Sequence, residues 1–275
     1  MTEIQTRSDL PEGEIIRLLR EKDAKVFNAV DNSGIFRVYA TNVGDEWRRQ
    51  HLVNLPVFAG ERLLLRYSGD ELYQTERDIL HCLIQTAEDK EEQSSISLYM
   101  VICSLGLTTG GTSYKMAEQA LSRMADASVS ILFDGESERI ARIISEISIE
   151  KRVVKYALDK DFLSLFGMYE SKYIDWEKRG RLPKKNNMAK KLQCLFGSRI
   201  EARQTHSIKR IFLTSGLHSK PTQFIKLLKR ALDELLNSQI ISRYDITHPQ
   251  RGNFDKRMLT VVRSNISNDC TIPPV

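Results

Sequence analysis

An amphipathic helix that runs into a β-branched strand is predicted at two places in this chain, 111 residues apart. The first helix pattern covers residues 119–124 and precedes a strand from Val129, and the second covers residues 230–235 and precedes a strand from Ile240. Both patterns contain an Ala-Leu pair with a further apolar residue three positions on, which is helical spacing. This order is typical of the last helix and first wing strand of a winged helix-turn-helix.

The second copy of the pattern is the clearer one. Pro221 suits the first position of a helix over residues 221–236, after a turn at residues 215–220 that is rich in small side chains. One face of this helix is apolar and is predicted to be buried; it consists of Phe224, Leu228, Ala231, Leu232 and Leu235. The opposite face is mostly basic, so a recognition helix is predicted here.

The first copy is predicted to end a group of three helices. These helices cover residues 71–87, 95–105 and 114–125. Ser113 is placed to cap the last of them. Strands at residues 129–133 and 153–156 are predicted to form the wing, and residues 140–147 fit either a helix or a strand.

Elsewhere the pattern predicts shorter elements. Strands over residues 35–39 and 61–67 are expected to form a small sheet. Helices are predicted in the second half at residues 162–169, 188–196 and 207–213. Residues 171–176 have strand character, and residues 179–185 read as a basic turn that contains Pro183.

The predicted fold class is α+β, with two tandem winged-helix domains. The predicted divisions are an N-terminal arm with room for mobility (1–34), a first winged-helix domain (35–160), a second winged-helix domain (161–265) and a C-terminal tail (266–275). The first domain is expected to serve assembly and auxiliary DNA contact, and the second to be the principal DNA-binding domain.

The net charge of +5 hides an asymmetry between the two halves. Residues 1–150 hold 16 Lys/Arg and 25 Asp/Glu, a net of −9, whereas residues 151–275 hold 25 and 11, a net of +14. The positive charge of the second half favours binding to the phosphate backbone of a nucleic acid, because binding releases counterions from the phosphates. Two other readings stay open, in which the basic half aids solubility or docks on the acidic half.

Several classes of protein are disfavoured by composition. The four cysteines show no paired zinc spacing, the five histidines show no metal-ligand spacing, and no apolar run approaches the roughly 18–20 residues of a membrane helix. The glycines at residues 106–113 lack the Gly-Lys-Ser/Thr ending of a phosphate-binding loop. We therefore expect a cytoplasmic protein that uses no cofactor or metal and is not an enzyme.

Four sequence features are dispersed along the chain: Tyr-Ser-Gly-Asp at residues 67–70, Met-Ala-Lys-Lys-Leu at 188–192, Ser215-Gly216, and the helix from Phe224 through Ala231-Leu232 to Leu235. Together they resemble the TrfA family of plasmid replication initiator proteins. The resemblance covers residues 60–245. It implies two winged-helix domains that bind repeated origin sequences (iterons), open the adjacent duplex and recruit host helicase and initiator proteins. It also implies a monomer–dimer equilibrium.

The candidate DNA-binding residues fall into three groups. The second recognition helix and the turn before it supply Lys220, Thr222, Gln223, Lys226, Lys229 and Arg230. The first copy supplies Ser113, Lys115, Gln119, Ser122 and Arg123. A predicted wing tip supplies Arg251, Lys256 and Arg257.

Each group has a chemical reason and an alternative. A Gln pairs with adenine and an Arg or Lys with guanine, while further cations hold phosphates. The alternative for the second helix face is a solvated basic surface. For the first domain it is dimerisation instead of base contact, as the resemblance implies, and for the wing tip it is a mobile hairpin loop. The predicted function is a plasmid replication initiator. The alternatives are a tandem winged-helix transcription regulator and, less favoured, a nicking enzyme.

Overall fold

A computed structural model describes residues 29–38, 49–59, 63–87, 93–133, 136–165, 174–183, 186–199, 201–217, 219–247 and 254–264. The first half begins with strands β1 (Phe36–Arg37), β2 (His51–Ala59), β3 (Leu63–Asp70) and β4 (Leu72–Tyr73). Then come helix α1 (Gln74–Thr86), strand β5 (Ser94–Ser97), and helices α2 (Leu98–Ser104) and α3 (Gly111–Asp126). Strands β6 (Ser128–Phe133), β7 (Arg139–Arg142), β8 (Ile144–Glu150) and β9 (Val153–Leu158) complete this half.

The second half contains most of the remaining helices. They are α4 (Lys160–Ser164), α5 (Trp176–Arg181), α6 (Asn187–Gly197), α7 (Ile208–Ser215) and α8 (Pro221–Asn237). Its strands are β10 (Arg203–Ser207), β11 (Ile241–Ile246) and β12 (Met258–Arg263), with a 3₁₀ turn at Phe254–Lys256 before the last one.

The two halves repeat one architecture, in which a helix, a strand and two helices are followed by a two-stranded antiparallel wing. In the first half the sheet order is β5-β9-β8, and in the second it is β10-β12-β11. Both sheets place the last strand between the strand that precedes the helix pair and the other wing strand. The predicted α+β fold with two tandem winged helices is confirmed.

The strand after the first copy of the Ala-Leu pattern was wrongly predicted as a wing strand. Strand β6 instead joins a four-stranded sheet of order β2-β3-β6-β7, in which Val129 lies opposite Tyr67. The wing is formed by β8 and β9, which pair in antiparallel fashion from Ile144 opposite Leu158 to Glu150 opposite Val153. Strand propensity is local, but the strand's partner is chosen by non-local packing.

Several other predicted elements differ in type. Residues 95–97 of the predicted second helix belong to strand β5, and α2 begins only after Ser97, which caps it by accepting the Met100 N–H. Residues 140–147, which fitted either type, lie in strands β7 and β8. Trp176 begins helix α5 instead of ending a strand. Strand β1 pairs with β4 and not with β3, so the predicted small sheet is absent from the described part of the chain.

Apolar side chains form two separate cores. The first contains Leu65, Leu83 and Leu121, and the second contains Leu192 and Leu232. The described end of the predicted arm, residues 29–34, is buried, and its apolar members pack in the first core. Residues 1–28 and the tail lie outside the described residues, and the exact domain boundaries stay predictions. No helix in the described ranges is long and apolar enough to cross a membrane.

Candidate nucleic-acid interface

Helix α8 presents two chemically distinct faces. Its predicted apolar stripe is fully buried, from Phe224 through Leu228 to Leu235, and packs against α6 and α7 in the second core. The predicted contact residues on the other side are all exposed: Lys220, Thr222, Gln223, Lys226, Lys229 and Arg230. The helix rises about 1.5 Å per residue, so residues 222–230 span about 12 Å. That length matches the width of the DNA major groove, about 12 Å.

The two recognition helices, α3 and α8, begin without a side-chain cap. Gly110 precedes α3 and Lys220 precedes α8, and neither side chain accepts a hydrogen bond from the first turn. Helices α2, α4, α5, α6 and α7 each begin after a Ser, Asp or Asn whose side-chain oxygen accepts a backbone N–H of the first turn. Helix α1 has no such cap, but Glu76 in its first turn accepts the Tyr73 N–H. The first N–H groups of α3 and α8 are thus available to an external acceptor, and the helix dipole favours an anion there.

A side-chain hydrogen bond at the surface joins α8 to the wing sheet. The Tyr244 hydroxyl on β11 donates to Asp233 Oδ1 at 2.7 Å. Burial and the neighbouring Asp233 carboxylate raise the pKa of Tyr244 to about 12, so the donor proton is retained at neutral pH. The one acidic side chain on the outer side of α8 is therefore engaged within the domain instead of opposing the cations beside it.

The second wing is anchored where it returns to the domain. The Phe254 ring meets Phe212 and Phe224 edge-on, with centroids 5.8 and 6.2 Å apart. Lys256, two residues after Phe254, is exposed, whereas Arg257 is half-buried and its Nε has no hydrogen-bond partner among the described residues. Arg251, predicted at the wing tip, lies outside the described residues.

Helix α3 presents a weaker contact face than α8. Its buried stripe contains Ala120, Leu121 and Met124. Of the predicted contact residues, those that are exposed are Lys115, Gln119 and Ser122. The predicted cap at Ser113 is wrong, because the helix begins at Gly111 and Ser113 is its half-buried third residue.

Arg123 differs from its neighbours on α3 because it is already paired. Its Nη2 and Nε donate to Glu76 Oε1 on α1 at 2.7 and 3.2 Å, and its side chain is 18% exposed. Arg49 also contacts this fully buried carboxylate, at 2.9 Å. The structure thus places Arg123 in a contact between α1 and α3, apart from the exposed residues of the same helix.

The first wing supplies two cations that the sequence reasoning missed. Lys151 and Arg152 form the two-residue turn between β8 and β9, both with left-handed φ angles of 49° and 67°. Both side chains are exposed, and the Arg152 guanidinium lies 4.3 Å from the Tyr114 ring centroid at the start of α3. A pair of cations between two alternating strand patterns was the available signal. The predicted wing pairs residues 129–133 with 153–156 and therefore does not place these two cations in a wing turn.

No cluster of three or more potential metal ligands occurs among the described histidines, cysteines and acidic residues. The site as described is therefore a surface of exposed cations, amides and hydroxyls on two helices and their wings. Such groups bind phosphates and base edges.

Comparison with known proteins agrees with this architecture. No family model matches the chain, and no curated protein matches it either. Among solved structures, domains 2–3 of RctB superpose with a TM-score of 0.50 at 9% identity, over 85% of this chain and 96% of that one. The Pi initiator protein in complex with iteron DNA gives a TM-score of 0.50 at 12% identity, over 69% of this chain and 90% of that one. At these identities the likeness establishes the fold that the two halves share with those proteins.

Proposed function

We propose that the protein is a replication initiator of the plasmid type, which binds repeated origin sequences through its two winged helices. The observation that carries the proposal is a fold shared, over most of both chains, with the Pi initiator bound to iteron DNA. The exposed basic face of α8 and the +14 charge of the second half support the same assignment. The resemblance to the TrfA family stays a sequence resemblance, since neither solved structure belongs to it by name.

The two domains have different tasks in this proposal. Helix α8 enters the major groove, where Gln223 and Arg230 contact base edges and the lysines contact phosphates. The first domain adds contacts through the start of α3 and the turn at Lys151–Arg152, and it takes part in a monomer–dimer equilibrium. Binding energy bends and opens the origin, and host helicase and initiator proteins are then recruited.

Plasmid maintenance tests the proposal directly. A plasmid that carries the origin of the replicon but not the gene is placed in cells that either supply or lack the gene, and plasmid retention is followed over generations. Retention should require the gene. If the origin is maintained equally without it, and only transcription of neighbouring genes changes, the transcription regulator is the correct reading.

The protein acts on DNA by binding alone in this proposal, in the cytoplasm and without a cofactor. A nicking enzyme instead cleaves one labelled origin strand in the presence of a divalent metal, and a Tyr-to-Phe change abolishes cleavage. We expect no cleavage of labelled origin DNA with Mg²⁺ or Mn²⁺. Cleavage that disappeared in Tyr114→Phe or Tyr244→Phe would establish the enzyme.

A further inference from the structure

A buried polar contact, here called the interdomain clasp, joins α1 of the first half to α5 and α6 of the second. Its centre is Arg179, which is 2% exposed. Arg179 Nε donates to Asp78 Oδ1 at 2.6 Å, and Arg179 Nη2 donates to Gln74 Oε1 at 3.1 Å. Lys190 Nζ donates to the other Asp78 oxygen, Oδ2, at 2.6 Å. One carboxylate of the first domain is thus held by two cations of the second.

An aromatic stack adds to the clasp. Trp176 on α5 lies parallel to His81 on α1, with ring centroids 3.3 Å apart and planes 8° apart. The guanidinium groups of Arg77 and Arg179 lie 5.4 and 5.2 Å from the Trp176 ring centroid. Burial and these two arginines lower the pKa of His81 to about 3, so the stack stays neutral at physiological pH.

A second row of contacts runs beside the clasp. Lys191 on α6 donates to the Ser33 carbonyl of the first half, and Val38 N–H donates to the Ser215 carbonyl at 2.8 Å. Gly216, with φ of 71°, lies so close to Arg37 that a Cβ there would be 2.5 Å from Arg37 Cδ. The approach of the two halves is therefore fixed at several points along their border.

The clasp has the chemistry of an orientation device. The apolar cores are separate clusters, and the contacts at its centre are ion pairs, hydrogen bonds and ring stacking. Buried ion pairs contribute little net stability compared with apolar packing, because desolvation offsets their attraction. Their hydrogen bonds are directional, however, and an arginine fork is satisfied in a narrow range of positions.

We propose that the interdomain clasp fixes the relative orientation of α3 and α8, and so makes the protein select DNA sites by the spacing between the two segments that these helices contact. The inference rests on the proposed function, because it requires both domains to bind the same DNA. One inserted base pair rotates the second segment by about 34° around the duplex, since a turn holds about 10.5 base pairs. A rigid protein cannot follow that rotation without losing contacts.

The test compares spacing profiles. Footprinting on the replicon that encodes the protein defines the protected segments, and synthetic duplexes then carry these segments with one to five base pairs inserted. The double variant Asp78→Leu/Arg179→Met removes both partners of the central ion pair, so neither of the two is left buried without the other. Lys190, whose side chain is 16% exposed, also loses Asp78 as its partner in this variant. The matched control is Glu177→Leu/Arg181→Met, the same chemical change in an exposed pair on the same helix.

We expect wild type and control to lose at least tenfold in affinity after insertion of one or two base pairs. The clasp variant should bind the natural spacing more weakly than wild type, but its affinities across the series should agree within about threefold. Arg179→Lys keeps the positive charge but loses the forked guanidinium. Its loss of affinity on insertion should lie between those of the wild type and the clasp variant. It also provides the test if the double variant does not fold, as checked by circular dichroism and thermal unfolding.

The possible results separate the two proposals. If the clasp variant folds and shows the same spacing profile as the wild type, the proposed role of the clasp is overturned. If the wild-type protein binds every insertion duplex equally well, the proposed role is also overturned, because only one domain then contacts the site. A wild-type protein that gives no footprint on its replicon overturns the proposed function instead.

Discussion

Gln223 and Arg230 lie on the exposed face of α8, seven residues and therefore about 10 Å apart along the helix. That distance lets them reach different base pairs within one groove. Their neighbours Lys226 and Lys229 are equally exposed, yet a lysine is a point charge that suits a phosphate, whereas an arginine fork or an amide pairs with a base edge. Residues on one helix face are thus expected to divide into base contacts and backbone contacts.

Arg230→Ala and Gln223→Ala should each weaken binding to the specific site by about 1–3 kcal/mol and relax base preference at one position. Lys226→Ala should weaken binding to all sequences alike and lower the slope of log K against log salt by about 1. Fluorescence anisotropy with single-base variants of the site, at several salt concentrations, measures both effects. Arg139→Ala is the control, because this exposed arginine is paired with Glu136 and Asp161. Unchanged specificity in both base-contact variants would refute the assignment.

Helices α3 and α8 share a buried stripe and an uncapped start, and they differ in the residues that begin them. Helix α8 begins after a lysine, with proline at its first position, whereas α3 begins after Gly110 and Gly111. A Cβ at either glycine would meet no atom within 4 Å, so these positions are open to solvent. A phosphate can approach the N–H groups of α3 closely from this side.

A paired substitution at Gly110 tests this approach. Gly110 has extended backbone angles, φ −119° and ψ 164°, which suit either Asn or Asp as a helix cap. Both variants should raise the free energy of unfolding by a few tenths of a kcal/mol. Only Gly110→Asp places a negative charge where a phosphate is expected, so its DNA affinity should fall severalfold below that of Gly110→Asn. Equal affinities in a binding titration would show that the start of α3 does not touch DNA.

At the scale of elements, sequence predicts what is encoded locally. Helix α8 and its buried stripe follow from 3.6-residue spacing and from Pro221, and both are confirmed. Strand β6 was recognised as a strand but given the wrong partner, because its neighbours β3 and β7 are selected by the whole sheet. Arg179 was assigned to a basic turn. It is buried in α5 because Asp78, 101 residues earlier in the chain, meets it there.

The whole molecule therefore depends on charge in two separate ways. Exposed cations on α8 and on the wing turn at Lys151–Arg152 form the proposed DNA surface, and buried ion pairs join the two domains. A buried arginine and an exposed one look alike in a sequence, so a count of +14 for the second half does not separate these uses. The distinction also gives the two groups different responses to salt, since dissolved ions screen exposed charges strongly and buried ones much less.

Lowering the pH should weaken the contact between the two domains. Burial alone would raise the pKa of Asp78, but Arg179 and Lys190 hold it below its ordinary value of 3.8. Within the first half, burial alone would likewise raise the pKa of Asp31, but Arg77 holds it below its ordinary value. Because these folded-state pKa values are depressed, both carboxylates contribute stability that is full above the unfolded value. That contribution is lost as pH falls through the lower folded values.

Urea unfolding between pH 6 and pH 2 measures this dependence. The wild-type free energy of unfolding should decline as pH drops below about 4. At that pH the carboxylates begin to bind protons in the unfolded chain, while they remain charged in the folded chain. Asp78→Leu/Arg179→Met lacks one of the two carboxylates and should decline less steeply, whereas Glu177→Leu/Arg181→Met should follow the wild type because its pair is exposed. Parallel declines in all three proteins would mean that the clasp carboxylate is not held in its charged form by the second domain. The orientation of the two winged helices would then have to rest on contacts other than Asp78.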